Sequence, residues 1–301
     1  MAPISVETDP TGRVFVAEIG SGKNDGRVML IAADGTKYPV VTGLPSIIRA
    51  DGDPEGNDDM LYADGLLYLL NWGNLYKINV ANVKPGDAPV NASSLTPEDI
   101  SLQVLYYFNN VKLYVKKPAT PPESHPYAMC LGPDGSIYIA DAAANAIFRR
   151  AKDGKVSIVT EVPGIKNPTP VGPPTIESVP TGITYDGKQF VISTLTGFPF
   201  PSGQATLYQM NGLGDLTVRK QGFNPMVDIE VDGNGGSLVL EYGTFGQTGW
   251  VAKTGRLLRV NAAENTVLFD NLNLPTDLKL AGNNAAYIVS LGDGSVQKIT
   301  F

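Results

Sequence analysis

Six segments of this chain share one layout: an apolar strand, a glycine-centred turn, a second apolar strand ending on a polar residue, a loop, and a third strand. The turn and second strand occupy residues 9–18, 63–71, 132–141, 186–194, 232–241 and 282–290. Third strands follow at residues 26–31, 74–79, 146–150, 205–210, 255–260 and 294–300. Outer fourth strands are readable in five repeats, for example at residues 38–42, 156–160 and 267–270. Asp-Gly occurs nine times, mostly where the repeat wants a turn, and favours hairpins because both residues can take positive φ. Four-stranded units at roughly fifty-residue spacing predict an all-β, six-bladed β-propeller, one domain over residues 1–301. Thr96-Pro97-Glu98-Asp99 is the only helix-start signal and predicts one short turn. The sixth repeat ends at Phe301 after three strands, and three residues precede the first strand near Ile4. The last blade is therefore three-stranded, or natural upstream sequence completes it; the second is the expectation.

Loop lengths divide the two faces of such a disc. Turns between first and second strands are short: residues 9–12, 64–65, 132–135, 186–187, 232–236 and 282–284. The opposite face carries long connections at residues 20–25, 198–203 and 242–254, and links at 43–57, 109–126 and 164–180. Loops longer than a connection needs often carry function, which places the chemistry on that face. An insertion at residues 81–99 is the exception and should decorate the other face of the second blade.

Composition narrows the function classes. Gly at 33 and Pro at 23 suit many tight turns, and 43% hydrophobic residues exclude a disordered chain. A net charge of −7, with Lys116-Lys117, Arg149-Arg150 and Arg219-Lys220 the only adjacent basic pairs, argues against nucleic acid. The single cysteine, Cys130, sits in a strand-like run and reads as a buried structural thiol. No apolar run reaches the ~18 residues of a membrane span. No signal peptide precedes the first strand, which fits a cytoplasmic protein or the mature form of an exported one. A monomer is expected.

Three groups of residues are candidates for chemistry. Glu18, Asn71, Asp141, Thr194, Glu241 and Ser290 end the six second strands and would ring the channel mouth. With Asp51, Asp53, Glu55, Asn57 and Asp58 of the first link, they offer hard oxygen donors for Ca²⁺. The alternative is that each caps backbone N–H groups of its own loop. His125 is the only histidine. As a general base it would need Glu123, Asp141 or Asp58, and otherwise it is an ordinary link residue. Loop aromatics form the third group: Trp72, Phe198, Phe200, Tyr242, Phe245 and Trp250. Their rings either contact a ligand or wedge between blades. Asn91-Ala-Ser93 matches the glycosylation sequon, a triplet common by chance.

The motifs Ser178-Val-Pro-Thr-Gly182, Leu195-Thr-Gly-Phe-Pro-Phe-Pro201 and Tyr208 stand beside His125-Pro-Tyr127, Asp141-Ala-Ala-Ala-Asn-Ala146 and Asn224-Pro-Met-Val-Asp228. Together they resemble the ScyD/ScyE propeller family, named for proteins encoded beside scytonemin biosynthesis genes and related to NHL-type propellers. The resemblance spans nearly the whole chain. It implies an exported protein, secreted or periplasmic, and carries no established activity. The family usually shows Asn where His125 stands. The leading reading is a binding propeller that takes a small molecule or a protein on its loop-rich face, with Trp72, Phe198, Phe200, Tyr242 and Trp250 as ligand contacts. One alternative is a Ca²⁺-dependent, gluconolactonase-like hydrolase whose metal ligands are Glu18, Asn71, Asp141, Asn224 and Glu241. The other is a lyase using His125.

Overall fold

The computed structural model describes residues 1–50, 52–111, 123–232, 235–282 and 284–301. Asp51, the Lys116-Lys117 pair, most of the 109–126 link and parts of the 232–236 and 282–284 turns lie outside the described residues. The strands follow the apolar runs, and the architecture is a six-bladed β-propeller. Blade one consists of Pro3–Thr8, Val14–Glu18, Gly26–Ile31 and Lys37–Leu44. Blade three is Pro126–Leu131, Ile137–Asp141, Ala146–Arg150 and Val156–Glu161. Blade four is Pro180–Tyr185, Phe190–Thr194, Ala205–Met210 and Leu216–Phe223, and blade five is Met226–Val231, Ser237–Glu241, Gly255–Val260 and Asn265–Leu272. Blade two has Asn57–Ala63, Leu66–Asn71 and Asn74–Asn79 with a two-residue outer strand, Glu98–Asp99. Blade six stops at three strands, Pro275–Leu280, Ala285–Ser290 and Ser295–Thr300.

The chain divides into two compact units, residues 1–99 with 276–301, and residues 100–275. In the first, Val28, Val41, Leu67 and Leu69 join blades one and two in one core, and Val6, Val16 and Val289 join blades one and six. In the second, Ile147, Phe190 and Met210 join blades three and four, while Leu207, Ile229 and Val239 join blades four and five. Second strands in blades one, three, four and five are buried at every residue. That explains their unbroken apolar runs: a strand covered on both faces has no solvent side to alternate with.

Turn chemistry is more varied than Asp-Gly pairing alone suggests. Both residues take positive φ at Asp64 (50°) and Gly65 (81°). At Gly35, Gly135 and Gly154 the glycine has positive φ and the aspartate before it does not. Instead Asp34, Asp134 and Asp153 each accept the backbone N–H two residues on, an Asx turn. Aspartates at four first-to-second strand turns also hold or approach an arginine: Arg13 on Asp9, Arg149 on Asp134, Arg219 near Asp186 and Arg259 near Asp232.

The helix differs from the expectation. Residues 98–99 are strand, not helix, and the helix is longer and later: Ile100–Val111, three turns. Its Ile100, Val104 and Phe108 fall at i, i+4 and i+8 and are buried, and that stripe outweighs the capping signal. The 81–99 insertion also serves blade one, because Val90–Asn91 pairs in parallel with the outer strand at Val41 and Thr42. Asn91 of the sequon caps a short 3₁₀ turn, accepting the N–H of Ser93.

The Ser178–Gly182 motif has a packing reason. Thr181 Oγ1 donates to the Met226 carbonyl of blade five at 2.8 Å. A Cβ on Gly182 would lie 2.9 Å from Asp228 Cα and 3.0 Å from the Ile229 nitrogen. Backbone cannot retreat as a side-chain tip can, so Gly182→Ala should cost about 1–3 kcal/mol, read as a lower urea midpoint. Unchanged stability would mean that the two inner strands do not approach this closely.

Candidate functional site

All six residues that end the second strands are buried: Glu18, Asn71, Asp141, Thr194, Glu241 and Ser290. Each is engaged within its own unit. Glu18 takes the guanidinium of Arg27, its partner across the strand pair, and lies 3.6 Å from Lys37 Nζ. Glu241 is bound by its cross-strand partner Arg256 at 2.7 and 2.6 Å, and it accepts the N–H and side-chain amide of Asn224 at 2.9 and 3.2 Å. Asn71 donates to the Pro45 carbonyl and to Asn57, which in turn donates to the Glu18 carbonyl. Thr194 exchanges bonds with the backbone of Thr206, and Ser290 accepts from Asp293 N–H.

These geometries do not fit Ca²⁺ at the expected ligands. A hard cation needs carboxylate oxygens free of cationic partners. Glu18 and Glu241 each carry an arginine. Among the described residues, no cluster of three or more His, Cys, Asp or Glu is placed to hold a metal. Most of the six act as clasps that tie a strand end to its loop.

Asp141 is the carboxylate around which the His125 segment is arranged. Its Oδ1 accepts the backbone N–H groups of His125 (2.7 Å) and Ala144 (2.9 Å). Its Oδ2 accepts Ser124 Oγ at 2.6 Å, and Ser124 also lies 2.9 Å from Ser101 Oγ at the start of the helix. The His125 ring stands edge-on to Tyr127, with centroids 5.9 Å apart. Asp141 thus meets His125 through its main-chain N–H and also interacts electrostatically with its ring. Burial pushes the Asp141 carboxyl above its ordinary range, against the pull of the Ser124, Ala144 and His125 hydrogen bonds. A raised folded pKa means that this group favours folding at low pH and loses that contribution as pH rises. Asp141→Asn mimics the protonated form, and Ser124 can accept from its new amide. Wild type should therefore lose urea resistance relative to Asp141→Asn between pH 4 and pH 7; a difference independent of pH would contradict the buried charge.

The loops after the second strands of blades four and five bring five rings together. Phe200 lies 4.9 Å from Phe245 and 5.0 Å from Trp250, Phe245 lies 5.1 Å from Trp250, and Tyr242 lies 4.8 Å from Trp250. Phe198 closes the group at 6.1 Å from Phe200 and 6.2 Å from Phe245. Phe198 is 53% exposed and the other four rings are half-buried. Val251, on the same loop as Trp250, is also exposed.

Both loops are tightly built. Thr196 (φ 142°) and Phe200 (φ 54°) sit in the left-handed half of conformational space, which costs of order 1–3 kcal/mol per residue and persists only where surroundings enforce it. Phe200 N–H bonds the Gly197 carbonyl, and Gly197 N–H bonds Glu177. The Phe198–Pro199 bond is cis. Alongside, buried Asn167 donates to the carbonyls of Val171 and Pro173 and shapes the 164–180 link. In blade five a small hairpin pairs Phe245 with Trp250 and Gly246 with Gly249. Thr254 Oγ1 accepts the Thr244 N–H and donates to Val251, closing that loop at its base.

Of the five expected ligand contacts, Phe198, Phe200, Tyr242 and Trp250 meet in this cluster. Trp72 lies in the other unit, at the turn after Asn71, 46% exposed with φ 43°. Phe245, outside the expected ligand set, touches three of the other four rings. The sequence signal for it was its distance of five residues from Trp250 across Gly246 and Gly249, the spacing of a tight hairpin.

No protein-family model matches the chain, and no curated protein matches it in sequence. Solved structures do. Virginiamycin B lyase of Staphylococcus aureus, in a catalytically inactive variant with quinupristin, matches with a TM-score of 0.58 and 14% identity, over 99% of this chain and 81% of its own. A protein described as a gluconolactonase matches at 0.57 and 13%, over 100% of this chain and 88% of its own. The PQQ-bound aldose sugar dehydrogenase of Streptomyces coelicolor matches at 0.57 and 14%, over 99% and 94%. At these identities the likeness is one of fold, and propellers of different chemistry share it.

Proposed function

We propose that this chain is a single-domain, exported binding propeller of ScyD/ScyE type, and that its ligand is a planar, largely apolar small molecule held by Phe198, Phe200, Tyr242, Phe245 and Trp250. The observation that carries this reading is the cluster itself. Five rings converge from the equivalent loops of blades four and five, remain partly open to solvent, and stand on backbone held in costly conformations. Aromatic faces prefer offset or edge-to-face partners, so a flat ligand can add a ring to a group already arranged that way. A pure packing role would bury the rings; here the outermost is more than half exposed.

Chain likeness to a lyase favours a second reading in which His125 works as an acid or base. Asp141 accepts the main-chain N–H of His125, and the open aromatic cluster carries the binding reading ahead of this one. Calcium-dependent hydrolysis is the weakest of the three, since the arginines on Glu18 and Glu241 would have to leave. Millimolar CaCl₂ should leave the melting temperature unchanged; a rise of several degrees, lost in Glu241→Gln, would restore that reading.

Trp72 and Trp250 are the two tryptophans, so Trp72→Phe makes Trp250 the sole indole reporter. Titration of that variant with anilinonaphthalene sulfonate and a panel of flat aromatic compounds should give saturable quenching of Trp250 that is lost in Phe200→Ala. Quenching that never saturates, or that survives Phe200→Ala, would remove the proposal.

A further inference from the structure

A pocket of about 720 Å³ lies between blades four and five, at the strand ends away from the aromatic rings. That volume falls within the range of about 300–1,000 Å³ common for ligand sites. Its wall comes from the Asp186 turn and the outer strand Leu216–Phe223 of blade four, and from Gly236 and the Asn261 turn of blade five. All of these belong to the unit of residues 100–275. The strand Phe190–Thr194 starts beside this pocket and ends at the loop of Phe198 and Phe200, so the two sites stand at opposite ends of blade four.

The lining is polar and cationic. Three of its four charged residues, Lys188, Arg219 and Lys220, are basic on a chain of net charge −7. The fourth, Asp186, is engaged by its own turn, where Oδ1 accepts the backbone N–H groups of Lys188 and Gln189 at 2.9 and 2.8 Å. Its Oδ2 lies 3.8 Å from Arg219 Nη1, beyond hydrogen-bond distance, so the guanidinium is not locked to it. Lys220 Nζ donates to the Asn261 carbonyl at 2.9 Å, and among the described residues neither Lys188 nor Lys220 is ion-paired. Three amides stand beside these cations. Gln189 Nε2 donates to Gln209 Oε1 at 3.1 Å, which leaves Gln189 Oε1 as an acceptor and Gln209 Nε2 as a donor. Asn261 spends Oδ1 on the N–H groups of Ala263 and Glu264 and keeps Nδ2 as a donor. Among the described residues the lining holds no aromatic ring, and apart from glycine only Val231 and Ala262 are apolar.

From this arrangement we infer that the pocket between blades four and five binds a saccharide carrying acidic groups. The acid, a carboxylate or a sulfate, meets Lys188, Arg219 and Lys220, with the guanidinium offering a planar pair of donors. The sugar hydroxyls bond Gln189, Gln209 and Asn261. A hydroxyl both donates and accepts, which matches a mixed set of amide donors and acceptors. A bare anion would leave the amides unused, and a flat apolar ligand would find no ring to stack on. The site shares no residue with the aromatic cluster, so the inference stands independently of the ligand proposed there.

The test is calorimetric titration of residues 1–301 with trigalacturonate and with a sulfated heparin disaccharide, against maltotriose and inorganic phosphate. Saturable binding of an acidic saccharide, weakened by added salt, is the expected result, and the tighter of the two identifies the acid. Lys188→Glu should bind it roughly tenfold more weakly. Lys188 is exposed, so the fold should survive, which circular dichroism checks. Bound saccharide should also protect Lys188 and Lys220 from acetylation, read by mass spectrometry, and should do so equally in Trp250→Ala. That last arm separates this pocket from the aromatic cluster. Three results would overturn the inference: no saturable binding of either acidic saccharide, binding of maltotriose or phosphate as tight as theirs, or indifference to Lys188→Glu.

Discussion

Replacing Trp250 by alanine is expected to weaken binding of a flat aromatic ligand by about 30-fold, or roughly 2 kcal/mol, while leaving the propeller folded. The figure follows from ring contacts. Trp250 touches Phe200, Tyr242 and Phe245 with centroids 4.8 to 5.1 Å apart. Aromatic pairs of this kind contribute about 0.5–1.5 kcal/mol each beyond buried area. Losing the indole removes one surface for the ligand and loosens the two rings that would flank it. Because the ring is half-buried on a loop, global stability should fall by only about 1–2 kcal/mol. Calorimetric titration separates the two effects: affinity must drop far more than the unfolding midpoint. A variant that binds as well as wild type would show that the rings pack loops and do not contact a ligand.

A larger effect on stability is expected from Phe148→Ala, about 3–5 kcal/mol. Phe148 is fully buried on the third strand of blade three. Its ring receives Tyr107 and Phe108 of the helix edge-on, at 6.4 and 5.8 Å. Truncation leaves a cavity under the helix and removes both ring contacts, so the helix should undock before the blades unfold. Urea unfolding followed by circular dichroism should show a lower midpoint. Hydrogen exchange should speed up at residues 100–109 ahead of the strands. A loss below about 1 kcal/mol would contradict the docking of the helix on blade three.

The helix also marks where sequence reasoning stopped short. Thr96-Pro97 looked like a helix start because a cap and a proline are local signals. The stripe Ile100, Val104, Phe108 is equally present, but it sits in a β-repeat whose other apolar runs are strands. The blades themselves were readable since each depends on local chemistry: an aspartate turn, a buried second strand, and a polar residue at its end. What those polar ends do was harder to read. Glu18 and Glu241 meet Arg27 and Arg256 because each arginine follows a glycine at the start of the third strand, directly across the pair. That recurrence is present in the sequence, but only the strand register turns it into a pairing.

The aromatic group was legible only in part. Phe198, Phe200, Tyr242 and Trp250 stood out as loop aromatics, yet their convergence depends on two loops approaching each other, which no local pattern encodes. Trp72 shares their composition and turn setting but stands in the other unit. Phe245 owes its central place to its hairpin pairing with Trp250.

The most direct test of the account is a crystal structure of the protein soaked or grown with a flat aromatic compound that quenches Trp250. The account predicts ligand density against Phe200, Phe245 and Trp250, with Phe198 turned over its outer side. Density elsewhere, with these five rings untouched, would contradict it.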